Sequence, residues 1–244
     1  MSPMTTIAKR EFRSYFDSPL AYVVMCLTFL LLGLAVFFYR GGFWQIDRAS
    51  LQLLFEYTPV GLSLLVIPVV TMRLLAEEKR SGTLEMLITL PVSDSDVILG
   101  KYLGALGLVL TLVLATAIYP LAMFGFPWNL GALDDGPVWA GYLGLVLFSA
   151  AGVAIGLLVS ALTESQSVAF FITFFVLLLA WFAQAAGGQL SGSLGGALDF
   201  VCFQSRLDGF SRGLIDTRDV VFFLSITVVA LVMSFRALER RKWS

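Results

Sequence analysis

The residue types that could do chemistry are sparse in this sequence. The chain of 244 residues contains no histidine, which removes the commonest general base and the usual zinc and haem ligand. Of its two cysteines, Cys26 lies in an apolar segment and Cys202 in a polar connection, so no disulfide or ligand-spaced pair is expected. No carboxylate lies deep in an apolar segment. We therefore expect no catalytic, cofactor-binding or metal site in this chain.

The lysines exclude one common route to nucleotide binding. A phosphate-binding P-loop needs Gly-Lys followed by Ser or Thr, so that backbone amides and the lysine hold the phosphates. The four lysines, Lys9, Lys79, Lys101 and Lys242, are each followed by Arg, Tyr or Trp. The chain is not expected to bind ATP in this way.

The polar and charged residues of this chain must be positioned by its long apolar segments. Hydrophobic residues make up 58% of the chain and its mean hydropathy is +0.88. A helix needs about 20 apolar residues to cross a hydrocarbon core of roughly 30 Å. The sequence predicts an all-α membrane protein with a single transmembrane domain, residues 1–244, and about six transmembrane helices. The predicted spans are Leu20–Tyr39, Val60–Leu75, Tyr102–Phe126, Val138–Leu162, Val168–Gly187 and Val220–Leu238.

The distribution of positive charge predicts the orientation. With the amino terminus inside, 11 of the 16 Lys and Arg residues lie on the cytoplasmic side, and this bias favours both termini in the cytoplasm. No cleavable signal is evident before the first span. Inside the spans the polar residues are Ser, Thr and Gln, which we expect to bond to their own or a neighbouring helix; a substrate path lined by them is the alternative.

Residues 1–19 have the pattern of an interfacial helix. Lys9, Arg10 and Arg13 favour one helical face, while Phe12 and Phe16 lie near the other with further apolar residues. We expect the aromatic face in the inner headgroup region and the cations against anionic lipid. The alternative is a simple positively charged anchor.

The densest cluster of charge lies in residues 77–101, between the second and third spans. Gly82 is placed to end a helix that leaves the membrane, Thr83 to cap the next one, and Ser93 with Asp96 to start the helix of the third span. By pattern alone this is either a contact surface or a solvated loop with one lipid-facing helix. The candidate contact residues are Glu77, Glu78, Lys79, Arg80, Gly82, Thr83, Leu84, Glu85 and Leu87.

Two further patterns concern packing. In the outer segment, residues 188–219, the side chains of Phe200, Phe203, Leu207 and Phe210 repeat at helical spacing and predict an amphipathic helix that either lies on the surface or re-enters the membrane. The glycine pairs 100/104 and 152/156 predict close helix approach, within the chain or between subunits.

Three stretches carry a family resemblance. The loop sequence EKRSGTLE, the amino-terminal AKREFRSYFDSPLAYV and the segment FSRGLIDTRDVVFF, in this order within a six-span plan, resemble type-2 ATP-binding-cassette export permeases of the gliding-motility-type branch. The resemblance implies that residues 1–19 form a connecting helix and that the 77–101 loop carries a cytosolic coupling helix. It also implies a separate ATPase subunit that holds ATP and Mg²⁺, a second permease chain, and a bacterial cytoplasmic (inner) membrane.

The sequence therefore predicts a non-enzymatic permease subunit of an ATP-driven exporter, whose partners are an ATPase subunit, a second permease chain and membrane lipid, but no nucleic acid. Two other classes stay open. An ion-coupled carrier would work without an ATPase, although no ionisable residue lies near a span midplane. A non-transporting membrane scaffold or maturation factor would bind partners without moving a solute. The sequence does not indicate the substrate.

Overall fold

A computed structural model describes residues 2–38, 51–83, 93–124, 135–187 and 201–240. These ranges contain helices and no strands. The helices are α1 (Pro3–Phe16), α2 (Pro19–Phe38), α3 (Gln52–Gly61), α4 (Ile67–Thr71), α5 (Ala76–Ser81), α6 (Asp94–Ala115), α7 (Ile118–Phe124), α8 (Asp135–Leu162), α9 (Gln166–Gly187), α10 (Phe203–Ser211) and α11 (Thr217–Arg240), with a π-helical turn (Leu62–Val66) between α3 and α4.

Within the described ranges, six helical stretches are long and apolar enough to cross a membrane, as the sequence predicts. They are Pro19–Phe38, Gln52–Arg80, Asp94–Leu121, Asp135–Leu162, Gln166–Ala183 and Thr217–Glu239. The second prediction was too short, because the helix begins eight residues before Val60 and continues through Pro59. Pro59 and Pro68 both lie within this one long, irregular span.

Prolines explain the irregularities of the second and third spans. A proline in a helix removes one backbone donor, and its ring clashes with the carbonyl four residues earlier. The π-helical turn, where the backbone is wider, lies just before Pro68 and includes that carbonyl. In the third span, α6 ends at Ala115 and a turn at Thr116 precedes Pro120 by four residues.

Hydroxyl groups inside the spans bond mainly to their own helices, as predicted. Thr28 donates to the Val24 carbonyl at 2.7 Å and Ser149 to the Leu145 carbonyl at 2.7 Å. Ser63, Thr111 and Thr116 do the same within their own helices. Thr173 differs, since its buried hydroxyl has no partner among the described residues. The Gln184 side chain lies outside the described part.

The central helix is α8, which packs extensively on α11 and also contacts α4, α6, α9 and α10. Glycines make this close packing possible. A Cβ atom at Gly152 would lie 2.6 Å from Ile67 Cδ1, and one at Gly156 would clash with Thr71. The 152/156 pair therefore joins α8 to α4 within the chain, which confirms the internal alternative.

The second glycine pair receives α1. A Cβ atom at Gly100 would lie 2.8 Å from Ile7 Cβ, and one at Gly104 would lie 2.6 Å from Glu11 Cβ and 3.0 Å from the Ala8 carbonyl oxygen. The amino-terminal helix thus runs beside the first turns of α6 with little space between the two backbones. This contact also lies within the chain.

The predicted amphipathic helix of the outer segment is present as α10. Phe203, Leu207 and Phe210 are buried; Phe200 lies outside the described residues. The Phe203 ring centroid is 5.7 Å from that of Phe148, which lies about 20 Å along α8 from its start. Phe210 lies against Gly144 of α8, so the apolar face of α10 is buried on the bundle near the middle of that helix.

Candidate functional site

The second span leaves the bundle through residues 72–83, which we call the junction. Regular helix stops at Thr71, residues 72–75 form turns, and α5 continues to Ser81. Gly82 then adopts φ +72°, a left-handed conformation that favours glycine, so the predicted helix end is confirmed. Residues 84–92 lie outside the described part. Breaking a helix leaves backbone amides and carbonyls without their usual partners.

A serine of α8 accepts hydrogen bonds from backbone amides that the break in the helix leaves without their usual partners. The Leu75 and Ala76 amides both donate to Ser160 Oγ at 3.0 Å, and the Ser160 hydroxyl lies 3.4 Å from the Met72 carbonyl oxygen that it can donate to. Ser160 is fully buried. Because water does not reach these amides, the serine replaces the hydrogen bonds that the turn removes. The fourth span therefore holds the start of α5.

A lysine makes a second contact with the same end of α8. Lys79 Nζ donates to the Ala161 carbonyl, one residue before α8 ends. The last carbonyls of a helix lack intrahelical donors and carry partial negative charge, which a cation stabilises. Together with Ser160, this contact fixes α5 on the end of the fourth span at two points.

A buried lysine of α6 forms ion pairs with both α1 and α5. Lys101 in α6 is only 2% exposed, and its Nζ lies 2.7 Å from Glu78 Oε1 of α5 and 2.9 Å from Glu11 Oε1 of α1. A lysine at this depth is rare unless it is paired. We call these three residues the ion cluster. It connects the amino-terminal helix, the junction and the third span.

A tyrosine fixes the other end of α1. The buried Tyr15 hydroxyl donates to the Val70 carbonyl at 2.9 Å, and the Arg73 guanidinium lies 4.6 Å from the centre of its ring. Burial raises the pKa of the Tyr15 phenol, and the nearby Glu11 carboxylate acts in the same direction. The phenol therefore keeps the proton that it donates. α1 is thus tied to the second span both before and after the break.

The structure divides the predicted contact residues into two groups. Glu78 and Lys79 point inward and bond within the chain, whereas Glu77 and Arg80 are exposed, as are Gly82 and Thr83. Leu84, Glu85 and Leu87 lie outside the described residues. The charge pattern alone did not separate these groups, because the inward residues are recognised only by partners in α6 and α8.

The predicted interfacial helix has a similar division. Lys9, Arg10 and Arg13 are exposed, as expected of its cationic face. Its aromatic residues pack largely on protein: a Cβ atom at Gly107 would lie 3.1 Å from the Phe12 ring, and Phe16 is half-buried beside the Phe12 ring. Sequence reasoning assigned this face to lipid because the helical pattern does not distinguish lipid from a neighbouring helix.

Sequence reasoning missed Lys101 and Ser160 as members of the site. A signal existed for the lysine, which stands between Gly100 and Tyr102 where the apolar run of the third span begins. Chemically, the lysine, carboxylates and hydroxyls of this site bond to one another and to backbone groups of the chain. It can transmit a displacement of the junction to α1, α6 and α8.

Residues 47–201, more than half of the chain, match the family model of the ABC-2 family transporter protein. The chain belongs to this family. No curated protein matches the sequence. As an ABC-2 family member it is a multi-pass membrane permease, and the family implies association with an ATP-binding-cassette ATPase. The matched range includes the junction, Lys101 and Ser160, whereas α1 with Glu11 lies before it.

Proposed function

We propose that this chain is the membrane-spanning permease of an ATP-driven exporter in the bacterial cytoplasmic membrane. ATP and Mg²⁺ bind to separate ATPase subunits, and two permease chains form the translocation path. Both termini of the chain lie in the cytoplasm. The gliding-motility-type branch remains a prediction that rests on the resemblance of the sequence.

The observation that carries this proposal is the anchored junction. A segment that receives force from another subunit needs exposed groups for docking and a firm connection to the spans. Glu77 and Arg80 are the exposed charges of α5, and Glu78, Lys79 and the Leu75 amide are its internal connections. The junction therefore suits a coupling element that docks on an ATPase and moves with the spans.

The exposed cations of α1 suit the cytoplasmic membrane surface. Lys9, Arg10 and Arg13 share the side of α1 that does not pack on α6. A surface with anionic lipid attracts such a cluster, at about 1 kcal/mol for each Lys or Arg near the headgroups. We therefore expect the amino-terminal helix to lie at the inner leaflet, with its other face packed on α6.

The test is affinity purification of the tagged full-length chain from its native membrane in mild detergent, with identification of stoichiometric partners. We expect an ATP-binding-cassette ATPase with the unmodified chain and less of it with the double variant Glu77→Ala, Arg80→Ala. Arg236→Ala is the matched control, because Arg236 is an exposed cation outside the junction. Its recovery of ATPase should equal that of the unmodified chain.

Other outcomes would select other functions. Recovery of the chain without an ATPase, together with solute movement driven by an ion gradient, would identify a self-contained carrier. Stoichiometric partners without any transported solute would identify a scaffold or maturation factor. Either result would contradict the exporter proposal.

A further inference from the structure

Lys101 is the point where α1 and α5 meet through polar groups. Elsewhere these two helices pack on different neighbours: α1 lies mainly on α6, and α5 contacts α8 and α9. Lys101 bonds to one carboxylate from each helix, at 2.9 Å to Glu11 and 2.7 Å to Glu78. A displacement of α5 therefore acts on α1 through this lysine.

The chemistry of the ion cluster makes it a directional connection. Two carboxylates and one lysine leave one negative charge in excess, and all three side chains are largely removed from water. If the lysine were withdrawn, two like charges would remain close together in a poorly solvated site. Apolar side chains of similar size could fill the same space, but they would allow the helices to slide because dispersion contacts have little directionality.

We propose that Lys101 is a positioning residue that makes α1 move with the junction when an ATPase displaces it. This inference rests on the proposed permease function. The Tyr15 bond to the Val70 carbonyl connects α1 to the part of the second span before the break. The ion cluster connects α1 to the part after the break, so α1 bridges the irregular backbone and carries motion across it.

The experiment uses three versions of the cluster in the full chain. The first is unmodified. In the second, Glu11→Met, Glu78→Met and Lys101→Met remove all charge while preserving side-chain size, so that the fold is retained without an unpaired buried charge. In the third, Glu11→Lys, Glu78→Lys and Lys101→Glu reverse each charge and restore the ionic contacts. Equilibrium unfolding first establishes that all three fold.

Spin labels on exposed positions report the movement. Cysteines replace Thr6 on α1, Ser81 on α5 and Arg236 on α11, two at a time, in a background in which the exposed Cys26 is changed to Ala. Pulsed electron paramagnetic resonance measures the three distances in nanodiscs. The complex with the ATPase is compared without nucleotide and after trapping with ATP and vanadate.

With the native cluster we expect nucleotide to change the 81–236 and 6–236 distances while the 6–81 distance stays constant. In the all-methionine variant the 81–236 distance should still change, and the 6–81 distance should change with it. The charge-reversed variant should restore a constant 6–81 distance. A purely structural role would not predict this rescue, because the all-methionine variant is folded. A constant 6–81 distance in the all-methionine variant would overturn the inference.

A measurement on the permease alone separates this inference from the proposed function. Without the ATPase, the 6–81 distance distribution should widen in the all-methionine variant and narrow again after charge reversal. An unchanged width would overturn the positioning role of Lys101 even if the ATPase co-purifies. Conversely, a widened distribution with no co-purifying ATPase would support the connection between α1 and α5 and contradict the exporter function.

Discussion

Replacing Ser160 with alanine should destabilise the chain far more than replacing another buried serine of the same helix. Ser160 Oγ accepts hydrogen bonds from the Leu75 and Ala76 amides, each at 3.0 Å. Ser160→Ala leaves both donors buried without a partner. Each orphaned buried donor costs about 1–3 kcal/mol, so we expect the free energy of unfolding to fall by about 2–6 kcal/mol.

Ser149→Ala is the matched control. Ser149 is as deeply buried in α8 as Ser160, but its hydroxyl bonds only to the Leu145 carbonyl of its own helix. That carbonyl keeps its backbone donor when the hydroxyl is removed, and alanine favours the helix by a few tenths of a kcal/mol over serine. We expect a change in unfolding free energy within about 1 kcal/mol.

Two measurements test the comparison. Equilibrium unfolding in mixed micelles gives the difference in stability between the two variants. Hydrogen exchange resolved at Leu75 and Ala76 reports the local opening of the junction; a loss of about 2 kcal/mol corresponds to roughly 30-fold faster exchange there. If Ser160→Ala and Ser149→Ala have equal stability and equal exchange at the junction, the proposed role of Ser160 is wrong.

Three further predictions concern contacts around the site, each measured by equilibrium unfolding of the purified chain. Gly104→Ala should lower the free energy of unfolding by about 1–3 kcal/mol, because its Cβ would lie 2.6 Å from an α1 side chain. Gly33→Ala is the control and should be close to neutral, since its nearest contact would be at 3.6 Å. Equal effects of the two substitutions would contradict the packing argument. Arg206→Met removes the mostly buried 2.9 Å ion pair with Asp219 and should lower the free energy of unfolding by about 1–3 kcal/mol. Arg236→Met removes the exposed 3.6 Å pair with Glu239 and should change the free energy of unfolding by less than about 0.5 kcal/mol. Tyr15→Phe should lower stability by about 1 kcal/mol at neutral pH, through the lost hydrogen bond. Because the folded pKa of this phenol is raised above the unfolded value near 10, its contribution is fully present below about pH 10 and is lost as the pH rises further, so the variant should lose less stability than the native chain between pH 9 and 11.

The parts of the fold that could be predicted depend on local pattern. The six apolar segments, the helix end at Gly82 and the start of α6 are all confirmed, the last by the Asp96 amide donating to Ser93 Oγ at 3.2 Å. Each of these follows from residues within a few positions of one another. The glycine pairs were also recognised from spacing, although only the structure identifies α1 and α4 as the helices that they receive.

The parts of the site that could not be predicted depend on distant residues. The junction amides and Ser160 are separated by about 85 positions, and Glu11 and Lys101 by 90. A serine and a lysine near the ends of apolar helices fit several structures equally well, such as a lipid-facing anchor or a solvated helix end. Their pairing becomes visible only when α1, α6 and α8 are placed beside the junction.

The central position of α8 changes the expected route of coupling. The junction and the loop that follows it connect the second and third spans, so their place in the sequence indicates that force reaches these two spans. The junction is also fixed to the end of α8 through Ser160 and the Ala161 carbonyl. About 24 Å further along the same helix, Gly144 contacts Phe210 of α10. No proline interrupts α8 between Gly144 and Ser160, so this stretch is a stiff connection. Displacement of the junction should therefore shift α10 through the fourth span, and the Ser160→Ala variant should weaken that link.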